Sequence, residues 1–345
     1  MAAESEDVSD GSLGRTRSVV LKNGFRAVIA EDAILGGEHV RLKGGHATPR
    51  PLVDKPPVAP KRNHLPPSVH VDSVGVCGVD AWSEFLYDAT SGLERLYEPR
   101  VLKRSPDVEV VQTVLVDGST RLPVVVKRYC EQRRRGWRRW VSSSLAGSDF
   151  RAMAKLRAQG VSVPRPLAFV GSRGSSAYSW LITEFVDGLV ELEQVVLSLL
   201  PQLPPGGVRT AKASITSAVV DLYVSFDRCG LHHRDLKASN IMLRRWDGRA
   251  GGPEAWIVDV EGFRNGRTFA ESKRRQRLVR LAASLQEYSG VTSSDHARFL
   301  REYARRCDWA VGQWRSVFRT VSLAAQRYAR RSTSRKKHKI DGYGG

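Results

Sequence analysis

The feature that most constrains this chain is a run of eight residues, His233-Arg234-Asp235-Leu236-Lys237-Ala238-Ser239-Asn240, set between a helical pattern and a short apolar strand. Upstream, Ile215, Ala218, Val219, Leu222 and Phe226 recur at helical spacing, and Gly230 closes the pattern. Downstream, residues 241–243 read as a strand. After a polar turn, residues 256–258 read as another and deliver Asp259 at their end. Regular structure therefore holds the polar loop on both sides and brings a carboxylate back toward it.

The rest of the chain fits around this loop. Residues 108–115 and 122–129 are β-rich runs flanking the turn signal Asp117-Gly118, a hairpin with Lys127 near the end of its second strand. Strand patterning begins near Val101, and a short helix fits residues 81–87, where Trp82, Phe85 and Leu86 share a face. A helix over 148–159 is capped by Ser148 or Asp149 and stopped by Gly160. Pro164 and Pro166 keep 161–166 extended, and 167–170 and 179–185 read as two more strands. Helices return over 272–288, 295–306 and 310–330. The expected fold class is α+β in two lobes: a small antiparallel β lobe with one helix (about 98–186), and a mainly helical, shortened C-terminal lobe (about 187–330). Residues 1–75, including the proline-dense 51–67, are expected to form a poorly ordered N-terminal extension, and 331–345 a loose basic tail.

The loop carries the residue types that phosphoryl transfer needs, which are few because the chemistry depends on positioning and charge. Asp235 can accept the proton of an acceptor hydroxyl. Lys237 can neutralise charge on the transferred group. Asn240 offers a hard amide oxygen to Mg²⁺, and Asp259, at a strand end beside a glycine turn, is the second metal-ligand candidate. Lys127 is the candidate for the nucleotide phosphates, with Asp149 as its orienting acid. Arg234 reads as a brace for the loop. His232 and His233 are neighbours that do not share a face, so a packed loop histidine is the better reading than a metal pair.

These residues resemble the protein-kinase-like superfamily and, more narrowly, the bacterial lipopolysaccharide kinases: the Kdo kinases and core heptose kinases. The resemblance covers roughly residues 101–330. Val125-Val126-Lys127-Arg128-Tyr129 looks like the lysine strand of that family. Residues 156–166 look like the end of its first helix and the strand beyond. Ile257-Val258-Asp259-Val260-Glu261-Gly262 looks like its variant metal motif. Leu278–Leu285 with residues 298–303 looks like its helical C-terminal lobe. The resemblance implies a protein-kinase-like fold, ATP and Mg²⁺ as cofactors, and a hinge at 183–186 where Glu184 and Val186 hold the adenine. It also implies a sugar hydroxyl as acceptor, in lipopolysaccharide core or another lipid-linked glycan.

The chain departs from the protein-kinase pattern in several places. No GxGxxG precedes the hairpin, and the turn at 104–107 is not glycine-rich. The helix acid is Asp149 where kinases carry Glu, one methylene longer. No Phe follows Asp259, no Ala-Pro-Glu comes after it, and only 86 residues remain. That shortness disfavours a peptide acceptor. A serine/threonine protein kinase and a non-catalytic pseudokinase scaffold are the competing readings.

Composition bears mainly on partners. The net charge of +19 favours a polyanion, although free use of arginine in a GC-rich genome explains it equally well. Arg133-Arg134-Arg135-Gly136-Trp137-Arg138-Arg139-Trp140 interleaves charge with aromatics. A single-stranded nucleic acid, an anionic membrane surface and a solvated loop all fit it. With a glycolipid acceptor the membrane fits best, and nucleic acid is disfavoured. The four cysteines have no paired spacing, which points to reduced thiols. The N-terminus lacks the apolar segment of a secretory signal. A cytoplasmic monomer, peripheral on the inner face of the plasma membrane, is the expectation.

Overall fold

The computed structural model describes residues 16–20, 26–30, 77, 79–133, 144–171, 177–233, 236–246, 252–260, 263–265, 271–286, 288 and 290–341. A seven-stranded antiparallel sheet forms one lobe. Its strands are β1 (Thr16–Val20), β2 (Arg26–Ala30), β3 (Arg100–Arg104), β4 (Val108–Asp117), β5 (Thr120–Cys130), β6 (Pro166–Val170) and β7 (Tyr178–Glu184). Their spatial order is β1-β2-β6-β7-β5-β4-β3.

The hairpin expected around Asp117-Gly118 is β4–β5, in register from Val108↔Tyr129 to Asp117↔Thr120. Gly118 has φ +56, the left-handed region that glycine enters without steric cost. Alternation buries Leu122, Val124 and Val126 on one face of β5. The helix α1 (Val79–Ser91) packs against β4 through Trp82, Phe85, Leu86 and Ala89. Each large apolar side chain buried there contributes roughly 1.5–3 kcal/mol.

β1 and β2 lie inside the stretch expected to be a poorly ordered extension. β2 pairs with β6 (Ala27↔Val170, Ile29↔Ala168), and Ala27 and Ile29 are fully buried. Val19-Val20-Leu21 and Ala27-Val28-Ile29-Ala30 flank Asn23-Gly24, a hairpin signal in the sequence that the expectation of an extension overlooks. The proline-dense 51–67 lies outside the described residues.

The helix α2 (Leu145–Ala158) crosses the sheet against β6 and β7. It starts earlier than its sequence caps suggested. Ser144 is the N-cap, its Oγ accepting from the Gly147 N–H at 3.1 Å, so Asp149 falls in the helix body and is buried.

The chain leaves the large sheet at Glu184 and enters the helical lobe through β8 (Val190–Glu191) and a helical segment over 192–202. Then come α3 (Pro205–Arg228), β9 (Leu231–His233), a 3₁₀ turn (Ala238–Asn240), β10 (Ile241–Arg244), β11 (Glu254–Ile257) and β12 (Phe263–Asn265). The lobe ends with α4 (Glu271–Leu285), α5 (Ser293–Arg306) and α6 (Gln313–Asp341). β11, β10 and β8 form a three-stranded sheet, and β12 pairs with β9. The apolar face read from the sequence, Ile215, Ala218, Val219, Leu222 and Phe226, is the buried face of α3. α6 runs to Asp341, through much of the stretch expected to be a loose tail. Among the described residues, no helix is long and apolar enough to cross a membrane.

Candidate active site

Lys127 is aimed by backbone register. On β5 it lies between Val110 of β4 and Leu181 of β7, and the pleat turns it to the same face as Tyr129, two residues on. Its ammonium sits 4.8 Å from the Tyr129 ring centroid. The Tyr129 hydroxyl donates to Asp149 Oδ2 at 2.5 Å. The Lys127 ammonium donates to Asp259 Oδ1 at 3.0 Å, across 132 residues of sequence. The pairing expected from sequence therefore differs in detail. The carboxylate on Lys127 is Asp259, and Asp149 reaches the lysine's surroundings through Tyr129. The physical reason is the earlier start of α2, which places the short Asp149 side chain in the packed interior beside the Tyr129 hydroxyl.

Glu131, immediately after β5, is buried and anchors the start of α2. Its Oε1 accepts from the Leu145 N–H at 2.7 Å and from Ser179 Oγ at 2.6 Å. A carboxylate here also complements the positive end of the helix.

Asp259 follows β11, and Asn240 precedes β10. The ladder pairs Ile241 with Ile257, so continuing its register places Asn240 beside Val258, with Asp259 one residue further. Both oxygen-bearing side chains thus stand at the same end of one hairpin. The Ile257 N–H donates to Ser162 O at 3.0 Å, and Ser162 Oγ donates to Glu254 at 2.7 Å. These contacts tie the strand that delivers Asp259 to the segment after α2.

Asp235 and Arg234 lie outside the described residues, as do Glu261 and Gly262. The loop resumes at Leu236, which is fully buried, and Lys237 is half-buried. Two side chains hold the peptide groups on either side of Lys237. The Tyr223 hydroxyl of α3 donates to Leu236 O at 3.5 Å. Ser284 of α4 accepts from the Ala238 N–H at 3.0 Å while donating its own proton to Leu281 O at 2.8 Å. Burial pushes the Tyr223 phenol far above its ordinary pKa, with nearby Arg277 opposing and Asp227 adding to the rise. It is therefore a donor at any physiological pH. The turn closes with the Asn240 N–H on Lys237 O at 3.0 Å.

Behind this loop lies a buried charge cluster. Asp227, at the end of α3, accepts from Arg277, from Tyr303 and, at 3.0 Å, from Arg274. The Arg277 side chain is fully enclosed, its guanidinium 5.6 Å from both the Tyr223 and Phe226 ring centroids. The cluster joins α3, α4 and α5 immediately before the chain turns into β9.

At the hinge, the Glu184 N–H donates to Arg165 O at 2.9 Å and the Phe185 N–H to Pro123 O at 3.0 Å. The Glu184 carboxylate accepts from the Arg165 N–H at 2.7 Å and from Arg157 at 3.5 Å. Its side chain is thus engaged with the start of β6. No other described residue accepts from the Val186 N–H. The turn before β4 is tight. The Ser105 N–H and hydroxyl both donate to Val108 O at 2.9 Å, and the Val108 N–H returns to Ser105 Oγ at 3.1 Å. A glycine loop would leave such N–H groups open to phosphate.

Sequence reasoning missed Tyr129, Glu131, Tyr223 and Ser284. Period-two counting from Lys127 marks Tyr129, but nothing local marks Ser284, whose role arises from the packing of α4 on the loop.

The donor set suits Mg²⁺. Among the described residues no three His, Cys, Asp or Glu side chains gather as a closed metal cage. One carboxylate with one amide, half-buried at a strand end, is the sparse oxygen set Mg²⁺ takes when phosphates and water complete its shell.

The chain is also similar to known proteins over this region. A 3-deoxy-D-manno-octulosonic acid kinase from Stenotrophomonas maltophilia (strain K279a) is 33% identical over 163 residues, 45% of this chain and 58% of the relative. The protein of the same name from Xanthomonas euvesicatoria pv. vesicatoria (strain 85-10) is 32% identical over an equal span. The chain thus spans a little over half the length of these curated relatives. A solved structure described as WaaP in complex with acyl carrier protein aligns with 71% of this chain and 92% of its own at 21% identity and a TM-score of 0.49. The model of the lipopolysaccharide kinase (Kdo/WaaP) family matches residues 122–303, more than half of the chain and every candidate site residue. This chain belongs to the lipopolysaccharide kinase (Kdo/WaaP) family.

Proposed function

We propose that this protein transfers the γ-phosphoryl group of ATP to a sugar hydroxyl of lipopolysaccharide core or another lipid-linked glycan. The observation that carries the reading is the 3.0 Å contact between Lys127 of the sheet lobe and Asp259 of the helical lobe. It supports the reading because a cation suited to nucleotide phosphates and a carboxylate suited to a metal ion meet there. The names of the relatives, kinases of 3-deoxy-D-manno-octulosonic acid, support a sugar-acid acceptor.

Each residue then has a role. Asp259 and Asn240 would hold Mg²⁺, which when bound neutralises charge on the nucleotide phosphates. Lys127 holds those phosphates, and Asp149 acts on the lysine's setting through Tyr129. Val186 offers its N–H to the adenine, and Glu184 offers backbone rather than side chain. The acceptor oxygen attacks phosphorus, the bond from phosphorus to the ADP oxygen breaks, and the acceptor proton passes to Asp235. Lys237 offsets charge on the moving phosphoryl group. A lipid-held acceptor brings the protein, as a monomer, to an anionic membrane surface on the cytoplasmic side.

The test is transfer of labelled phosphate from Mg-ATP to membrane lipids and to proteins fractionated separately, with Asp235→Ala as control. Label in the glycolipid fraction that the variant abolishes is the expected result. Label in protein alone would favour a protein kinase. Absence of Mg-ATP binding by calorimetry would favour a non-catalytic scaffold.

A further inference from the structure

Arginines are treated differently in the last three helices. Five of the eight in α4 and α5 are matched by internal acids: Arg274 and Arg277 on Asp227, Arg275 on Glu271, Arg298 on Asp295, and Arg306 on Glu302 and Asp221. α6 has nine arginines and lysines and one acid, Asp341 at its last position. Its inner face, Val317, Val321 and Ala325, is buried on the lobe. Its outer face carries Arg315, Arg319, Arg327, Arg330 and Arg331, all exposed. Among the described residues no carboxylate lies within ion-pair distance of any of these five. At about 100° per residue, positions 315, 319, 323, 327 and 330 fall on one side of the helix. Position 323 is a leucine, 56% exposed in the middle of that cationic stripe.

We propose that the outer face of α6 docks the protein on an anionic lipid bilayer. A charge stripe with no carboxylate partner among the described residues calls for an extended array of negative charge. The exposed Leu323 calls for an apolar layer beneath that array. An anionic bilayer supplies both, as it does for interfacial helices with a basic face and an apolar insert. Nucleic acid would supply the charge but has no layer to receive an aliphatic side chain, and single strands are usually gripped by aromatic platforms. The inference deepens the proposed function, since docking would hold the site near a lipid-linked acceptor. The binding can still be measured without ATP or acceptor, so the two can fail separately.

The experiment is flotation of the full chain with vesicles of phosphatidylethanolamine and phosphatidylglycerol, against vesicles of phosphatidylcholine alone. The wild type should float with the first and not the second, and release in high salt. The variant R319E/R327E/R330E should lower the bound fraction at least about tenfold, since it reverses three of the charges that attract the protein to such a surface. Leu323→Asn should weaken binding less. The milder R319Q/R327Q/R330Q keeps the test informative if the charge reversal disturbs folding. Transfer to a deacylated, soluble acceptor should be unchanged in all of these.

Equal flotation with both vesicle types, or none, would overturn the proposal. So would unchanged flotation of both triple variants, or tight binding of a short RNA without vesicle binding. Loss of flotation in Trp137→Ala/Trp140→Ala with the α6 variants unaffected would move the docking surface to the 133–140 cluster and overturn it too.

Discussion

In the sheet lobe, Lys127 is aimed by backbone register: neighbouring strands fix its height and the pleat fixes its side. In the helical lobe, Lys237 and Asn240 sit on a short turn steadied by side chains reaching in from α3 and α4, with the Asp227–Arg277 cluster behind them. A strand ladder has many redundant hydrogen bonds, so substituting a side chain that it aims outward, such as Lys127, should change chemistry more than stability. The helical lobe depends on a few buried polar groups, so one substitution there should change stability first.

The largest expected effect belongs to that cluster. Arg277→Ala leaves Asp227 buried with fewer donors and should cost about 3–5 kcal/mol of unfolding free energy, the usual result of removing one partner of a buried ion pair. Urea denaturation measures it, and a loss below about 1 kcal/mol would show that the cluster is not what supports the helical lobe.

Lys127→Met is the matching change in the sheet lobe. Under the phosphate-binding role proposed for Lys127, catalytic efficiency should fall about a hundredfold or more, while the melting temperature stays near that of the wild type. A large drop in melting temperature would dissolve the contrast between the lobes.

Tyr129→Phe sharpens the comparison within the sheet lobe. It removes a hydrogen bond to the buried Asp149 carboxylate, worth about 1.5–3 kcal/mol, and should impair transfer less than Lys127→Met. If Tyr129→Phe instead matches the lysine variant in activity with unchanged stability, Asp149 and Tyr129 act directly in the chemistry.

The smallest effect is at the edge of the helical lobe. Thr292 and Asp295 form a reciprocal cap on α5, and Asp295 also accepts from Lys212 at 2.7 Å. Asp295→Asn should cost about 1 kcal/mol at neutral pH. Burial raises the Asp295 pKa, but the Lys212 and Thr292 contacts outweigh it and hold the carboxyl below its ordinary value. The unfolded chain therefore takes up this proton first as pH falls. The stabilisation is full above an unfolded pKa of about 3.9 and is lost as pH drops through the lower folded value. Melting curves of wild type and variant should converge only in that acid range.

Much of this arrangement was legible in the sequence because it is local. The turn at 236–240, the Asp117-Gly118 hairpin, and the apolar faces of α1 and α3 each follow from short-range spacing, and the structure places Lys127 beside Asp259. What the sequence hid depends on partners distant in the chain. The β1–β2 hairpin is marked locally by Asn23-Gly24, but its docking on β6 is not, and that contact is what joins it to the lobe. Asp149 was matched to Lys127 because helix acids often serve that role. In the structure α2 begins at Leu145, held by Ser144 and Glu131, and the Asp149 carboxyl meets the Tyr129 hydroxyl, a contact no local pattern marks. Ser284 reaches the loop only once α4 has packed, and no motif marks a serine for that.

The most direct test of the account is the catalytic efficiency of phosphate transfer from Mg-ATP to a glycolipid bearing 3-deoxy-D-manno-octulosonic acid. It is measured beside a serine/threonine peptide library, for wild type and Asp235→Ala. The account predicts transfer to the glycolipid alone, reduced about a thousandfold or more in the variant. Undiminished transfer by Asp235→Ala, or transfer to peptides with none to the glycolipid, would contradict it.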